Sequence, residues 1–255
     1  MWDNPKALNI ASGVLLAVSG LLVAGAGVYA LVRSPAFPLR SIQVVGQLEH
    51  VTQGQVIDAL QGRVSGTFFT VDLTEMRRSF EAIPWVRHVE VRRQWPARLQ
   101  VRLQEHRALA RWARAEERRL INMQGETFVA STEADLPTFA GPAGSEREVT
   151  RRYADFMRAL EPLGVAPRQV LLSDRLAWQI RLDNGMVLLL GRDAARDPVS
   201  ERLARFVQAY PSALARLENA GARGGVRFDL RYPNGFALRV REAEQSINRS
   251  TRPRA

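Results

Sequence analysis

No cysteine occurs anywhere in the 255 residues, which excludes disulfides, thiolate nucleophiles and Cys-ligated metals. Histidine is scarce as well. His50, His88 and His106 stand apart, without the HxxxH or HExxH spacing of a metal-binding helix, and are expected at the surface or in turns. Lys6 is the only lysine, no Ser-x-x-Lys pair exists, and no serine sits in a nucleophile elbow. Acidic residues do not form a recognisable acid–base pair: Glu116-Glu117 lie in an arginine-rich stretch, Asp174 precedes Arg175, and Asp229 precedes Leu230-Arg231. Gly25-Ala26-Gly27 has no preceding strand and nothing basic after it, so it is not a phosphate loop. These absences argue against an enzyme, a metal, a cofactor or a small-molecule substrate. No internal repeat is visible.

What the chain has is one long apolar run. From Ala7 to Val32 there is no charged side chain, and only Asn9, Ser12 and Ser19 are strongly polar. At 1.5 Å of rise per residue such a run exceeds a hydrocarbon core of roughly 30 Å, and a helix satisfies its own backbone groups in lipid. A cleaved signal peptide, with an apolar region of about 7–15 residues, is too short a template, although Val28-Tyr29-Ala30 resembles a weak cleavage site. A buried helix is the other alternative. The reading is a retained transmembrane helix over 7–32, preceded by a tail of residues 1–6. Gly13/Ala17 and Gly20/Ala24 place small residues four apart, a spacing that lets another helix approach. Lys6 lies on one side of the run and Arg33 and Arg40 on the other, so counting positive charges does not favour a cytoplasmic N-terminus.

The net charge of +10 is carried almost wholly by arginine. Such a balance suits nucleic acid, an anionic membrane surface or an acidic protein. These arginines are dispersed rather than clustered, so most are expected on a solvated surface and nucleic acid is not an expected partner.

After the apolar run, Ser34-Pro35-Ala36-Phe37-Pro38 reads as a short stiff linker. Residues 38–106 then read as one unit. Ser41 to Val45 form a strand ended at Gly46, Thr52-Gln53-Gly54-Gln55 is a capping box for a helix with Val56, Ile57 and Leu60, and Asp72 opens a second helix with Leu73, Met76 and Phe80. From Val89 the apolar period becomes two, and Leu99, Val101 and Leu103 alternate with Arg98, Gln100, Arg102 and Gln104 beyond a turn at Trp95-Pro96-Ala97. The order is strand-helix-helix-strand-strand.

Residues 107–242 read as a larger, mostly antiparallel β domain with two helices, making the chain α+β. Turn signals sit at Gln124-Gly125, Asp183-Asn184-Gly185 and Pro233-Asn234-Gly235. Ser145-Glu146-Arg147-Glu148 reads as the cap of one helix, and the other runs from about Pro198 with Leu203, Phe206, Val207 and Tyr210. In the last strand Phe236, Leu238 and Val240 are expected to face a core, with Ala237, Arg239 and Arg241 outward. No strand pattern follows, so this strand is expected at an uncovered edge. Residues 243–255 read as a disordered basic tail.

Two sets of residues carry a resemblance. Phe37 to Gly46, Glu49 to Thr52 and the stretch Ile83-Pro84-Trp85-Val86 to Trp95-Pro96 resemble a POTRA domain, as does the order of elements. Leu189-Leu190-Gly191-Arg192, Arg202 to Phe206, and Phe228-Asp229-Leu230-Arg231-Tyr232-Pro233-Asn234-Gly235-Phe236-Ala237 resemble the second domain of the FtsQ/DivIB family of bacterial cell division proteins. The resemblance implies a cytoplasmic N-terminus, a single span of the bacterial inner membrane, and a periplasmic remainder at the division septum. It also implies a non-enzymatic scaffold that recruits FtsB and FtsL, with the FtsW/FtsI synthase machinery downstream. In that family the partner adds a strand to the last strand of the second domain. The matching residues here are Tyr232, Asn234, Gly235, Phe236 and Leu238, with Arg175 matching an arginine that meets a partner acid. Two alternatives stand beside this reading: a POTRA-bearing module that handles envelope polypeptides, and an anchored periplasmic wall enzyme.

Overall fold

The computed structural model describes residues 5–62, 65–113, 119–219, 225–232 and 235–240. The tail expected at 243–255, and the side chains of Asn234 and Val240, lie outside them.

A single helix, α1 (Pro5–Val32), takes up the apolar run. Its segment Asn9–Val32 has a mean hydropathy of 2.2 and none of it is buried within the protein, which removes the alternative of a core helix. It is long and apolar enough to cross a membrane. The chain divides into two compact units at His106/Arg107.

In the first unit, β1 (Ser41–Val45) is followed by α2 (Gln53–Leu60), α3 (Leu73–Glu81), β2 (Val86–Gln94) and β3 (Arg98–Glu105). Local chemistry sets the helix starts. Thr52 and Gln55 form the reciprocal capping box, and the Asp72 carboxylate accepts the N–H groups of Thr74 and Glu75. Those two bonds hold the Asp72 carboxyl below the usual carboxylate range. The three strands pair in the order β1-β3-β2, with β1 parallel to β3 and β2 antiparallel to it. Leu99, Val101 and Leu103 are buried, as are Phe68, Val71, Met76 and Phe80, while Arg98 and Arg102 face water. The short helix α2 buries none of its residues, and Ile57 is half exposed.

The second unit is one nine-stranded sheet. Its strands are β4 (Ala108–Trp112), β5 (Arg119–Asn122), β6 (Thr127–Val129), β7 (Thr138–Ala140), β8 (Pro167–Leu172), β9 (Ala177–Leu182), β10 (Val187–Arg192), β11 (Val226–Asp229) and β12 (Ala237–Val240). They lie in the order β12-β11-β10-β9-β8-β7-β4-β5-β6, with β10/β11, β7/β8 and β4/β7 parallel and the rest antiparallel. Helices α4 (Glu146–Leu160) and α5 (Val199–Asn219) bring Val149, Phe156, Leu160, Leu203 and Phe206 into the core against Trp178, Ile180, Leu188 and Phe228. Burying each such side chain contributes about 1.5–3 kcal/mol before chain entropy is counted.

One local expectation is corrected. Ser145 precedes α4 but makes no capping bond: its backbone turns to ψ 2°, and its hydroxyl donates instead to the Pro142 carbonyl at 2.6 Å. The turn expected at Pro233-Asn234-Gly235 includes residues that lie outside the described ones. Asp229 pairs with Ala237, and the Leu230 N–H donates to the Leu189 carbonyl of β10.

Candidate interaction surface

Strand β12 ends the sheet, and among the described residues its only strand partner is β11. Its outer row of N–H and C=O groups therefore faces away from the sheet, the condition for accepting another strand. Leu238 was expected in the core. It pairs with Phe228, whose side chain is fully buried, yet Leu238 itself is 41% exposed. Cross-strand partners share a face, so Leu238 lies on the core side but at the rim, where little covers it. Phe236 is half-buried, its ring edge-on to Phe228 at 5.5 Å and to Phe206 at 6.1 Å. That aromatic cluster fixes the start of β12 from inside. Gly235 is exposed, and Tyr232 is 53% exposed.

Arg175 comes from the opposite side of the sequence but from the same end of the sheet. It sits in the loop between β8 and β9, and Ala177 just after it pairs with Arg192, the last residue of β10. Strand β11 runs parallel to β10 and ends at Asp229, where β12 begins. Arg175, Arg192, Arg231 and Tyr232 thus share one end. At about 4.8 Å per strand, β9 and β12 are separated by roughly 14 Å. Arg175 is exposed and makes no ion pair among the described residues.

The floor between these positions is built from Arg231, Gly191 and Arg202. Arg231 grips Asp229 with two guanidinium N–H groups, one at 2.8 Å, and its hydrogen bond holds the Asp229 carboxyl below the usual range. Its stem crosses Gly191 so closely that a Cβ there would lie 2.9 Å from Arg231 Cγ, and Gly191 has φ 76°. Only glycine meets both demands. Underneath, Arg202 is buried, an exception to the expectation that most of the arginines are solvated. It donates to the carbonyls of Leu190 and Arg192 on either side of Gly191, and to Asp197 at 2.7 Å. Hydrogen bonds from Arg202 and Arg205 lower the Asp197 carboxyl below its ordinary value. Helical spacing held the signal: Val199, Arg202, Leu203 and Phe206 share one face of α5.

The loop carrying Arg175 has a feature that no sequence pattern marked. Three hairpins close with the same two backbone bonds. Asn122 N–H donates to Glu126 and Gly125 N–H to Asn122; Ser173 donates to Ala177 and Leu176 to Ser173; Leu182 donates to Met186 and Gly185 to Leu182. The third loop residue is left-handed in each case, at φ 75° for Gly125, 83° for Gly185 and 58° for Leu176. Leucine in that region costs about 1–2 kcal/mol, and Leu176 is 59% exposed, so its side chain returns little by packing.

A second polar cluster lies in the first unit. Glu105 accepts the backbone N–H groups of Glu49, His50 and Val51, the last at 2.8 Å, and the His50 ring, which stacks on Trp85 at 3.7 Å. His50 itself is exposed, as expected. Burial alone would raise the Glu105 carboxyl, but the bonds from Val51, Glu49 and His50 outweigh it and hold it low. A carboxylate so occupied is a brace for the loop after β1. Among the described residues no three His, Asp or Glu side chains group as metal ligands.

Comparison with known proteins agrees with this architecture. Residues 37–106 match the family model of the FtsQ-type POTRA domain, and residues 110–231 match that of the cell division protein FtsQ/DivIB C-terminal domain. The second match stops just before Tyr232. Among curated relatives, the cell division protein FtsQ of Burkholderia pseudomallei is 43% identical over 94% of both chains. That of Bordetella pertussis is 41% identical over 93% of this chain and 92% of its own. The Nitrosospira multiformis protein is 39% identical over 94% of this chain and 99% of its own.

Proposed function

The chain belongs to the FtsQ/DivIB family of bacterial cell division proteins, and from that membership we propose that it is a non-enzymatic, single-pass scaffold of the division machinery. Residues 1–6 are cytoplasmic, α1 spans the inner membrane, and both units stand in the periplasm at the septum. The protein recruits an FtsB-like partner, with FtsL beside it and the FtsW/FtsI synthase machinery downstream.

The observation that carries this reading is the edge of β12, which no strand covers among the described residues and which begins at the end of the sheet that carries Arg175 and Tyr232. An added strand draws affinity from backbone hydrogen bonds along that edge. Arg175 supplies a charge for an acidic side chain of the partner, and Tyr232 supplies an exposed aromatic ring. Leu238, at the rim, is positioned to be covered by the added strand, while Phe236 holds the strand from within.

The test is the affinity of the full chain for the extramembrane segment of FtsB. Arg175→Glu replaces attraction by repulsion and is expected to cost roughly 2–5 kcal/mol of binding if the pair is buried in the complex. Tyr232→Ala is expected to cost about 1–3 kcal/mol. Both variants must melt as the parent does. Unchanged affinity in both would place the interface elsewhere.

A further inference from the structure

We propose that the anchor-side end of the first unit docks on the anionic phospholipid surface of the bilayer that α1 crosses, with Trp95 and Phe69 seated among the headgroups; this rests on α1 being a membrane span.

The chain has almost no slack after the helix. The Thr67 hydroxyl donates to the Val32 carbonyl at 2.8 Å, Phe68 N–H donates to Phe37 O at 3.0 Å, and Pro38 bridges to Thr67. Loop 67–69 is thereby fastened to the last turn of the span. Arg40 N–H donates to Ala97 O at 2.9 Å, which brings the tip of the β2–β3 hairpin to the same end. Ser41 pairs with Arg98, so β1 and β3 both run away from that end.

The residues presented there are those that suit a membrane–water boundary. Trp95 is 78% exposed and Phe69 42% exposed, with Phe37 edge-on to Phe69 at 5.3 Å. Arg93 donates to the carbonyls of Phe68, Phe69 and Val71, so the loop is held in place by the fold. On the helix itself Tyr29 is 59% exposed, and the Arg33 guanidinium lies 4.4 Å from its ring centre. Aromatic rings with one apolar and one polar part concentrate at headgroup level. Trp95 at the hairpin tip packs little of its ring against its own domain.

Charge points the same way. Segments 33–41, 65–71 and 92–98 contain Arg33, Arg40, Arg92, Arg93 and Arg98 and no acidic residue. Arg33, Arg40 and Arg98 are exposed and make no ion pair among the described residues. Basic side chains this close to a bilayer are drawn to anionic lipid. The opposite end of β3 carries Glu105, next to Glu49, so the strand is polarised along its length.

The experiment uses the full chain with Trp2→Phe, reconstituted in vesicles of phosphatidylethanolamine and phosphatidylglycerol that contain lipid brominated near the headgroup. Trp85, Trp112 and Trp178 are buried, which leaves Trp95 as the exposed tryptophan. Strong quenching is expected, and adding Trp95→Phe should reduce it to the level of the buried rings. Protease protection on the same vesicles reports insertion of α1 separately. Insertion with quenching unchanged by Trp95→Phe would overturn the docking alone, leaving the tip in water or against a protein. Loss of insertion would overturn the span and the docking together.

Discussion

Strand β9 is closed at its two ends by loops of equal length and equal hydrogen bonding, 174–176 at its start and 183–185 at its finish. The finish uses glycine for the left-handed residue, and a Cβ at Gly185 would meet nothing within 4 Å. The start uses Leu176, which gives up the easy conformation and leaves most of its side chain in water. Backbone geometry alone would choose glycine at both. The start is also where Arg175 is displayed and where Asp229, Arg231 and Arg202 tie down the neighbouring strands. One end of the strand answers to the fold. The other keeps a strained leucine where glycine would serve the backbone better.

The charged end of β9 depends first on Arg202. Arg202→Met removes the cation that satisfies the Leu190 and Arg192 carbonyls and Asp197 beside the Leu176 end, and is expected to lower stability by about 3 kcal/mol or more. Urea unfolding measures it, and a loss under about 1 kcal/mol would mean strand pairing alone holds that end. Gly185→Leu recreates the strain of residue 176 at the other end. Because space is open there, the expected cost is the conformational one, about 1–2 kcal/mol, read from the same unfolding curves.

Acid should separate the ends further. Asp197 and Asp229 have folded pKa values lowered chiefly by Arg202 and Arg231. Their stabilisation is complete above the unfolded aspartate value of about 3.9 and is lost as pH falls through the lower folded values. Hydrogen exchange below about pH 4 should therefore accelerate at the Leu230 amide, which bonds Leu189, before it does at Leu182. Simultaneous loss would deny the charged end a separate stability. The smallest effect is expected from Leu176→Gly, a gain of up to about 1 kcal/mol as strain is relieved. A clear loss of stability would show that Leu176 serves the fold after all.

Much of the first unit was legible because its signals are local. The Thr52–Gln55 box, the Asp72 cap and the change of period at Val89 each act within a few residues. In the second unit the hairpins around Gly125 and Gly185 announced themselves by glycine. The parallel pairings β4/β7, β7/β8 and β10/β11 did not, since they join strands separated by helices or loops and leave no local pattern. At the candidate surface, Arg175 and Tyr232 were readable only through family resemblance. Their place at one end of the sheet follows from those same parallel pairs. Leu176 was hidden because nothing in a leucine advertises a positive φ.

The parallel pairing of β1 with β3 has a consequence in time. β1 is made soon after the anchor, yet its partner is the last strand of its unit, and α2, α3 and β2 must be synthesised in between. At ordinary rates of about 5–20 residues per second, β1 waits some seconds as an unpaired strand until β3 is made. The hairpin of β2 and β3 closes locally and quickly, so it is the template, and β1 is the latecomer that docks on it although it was born first.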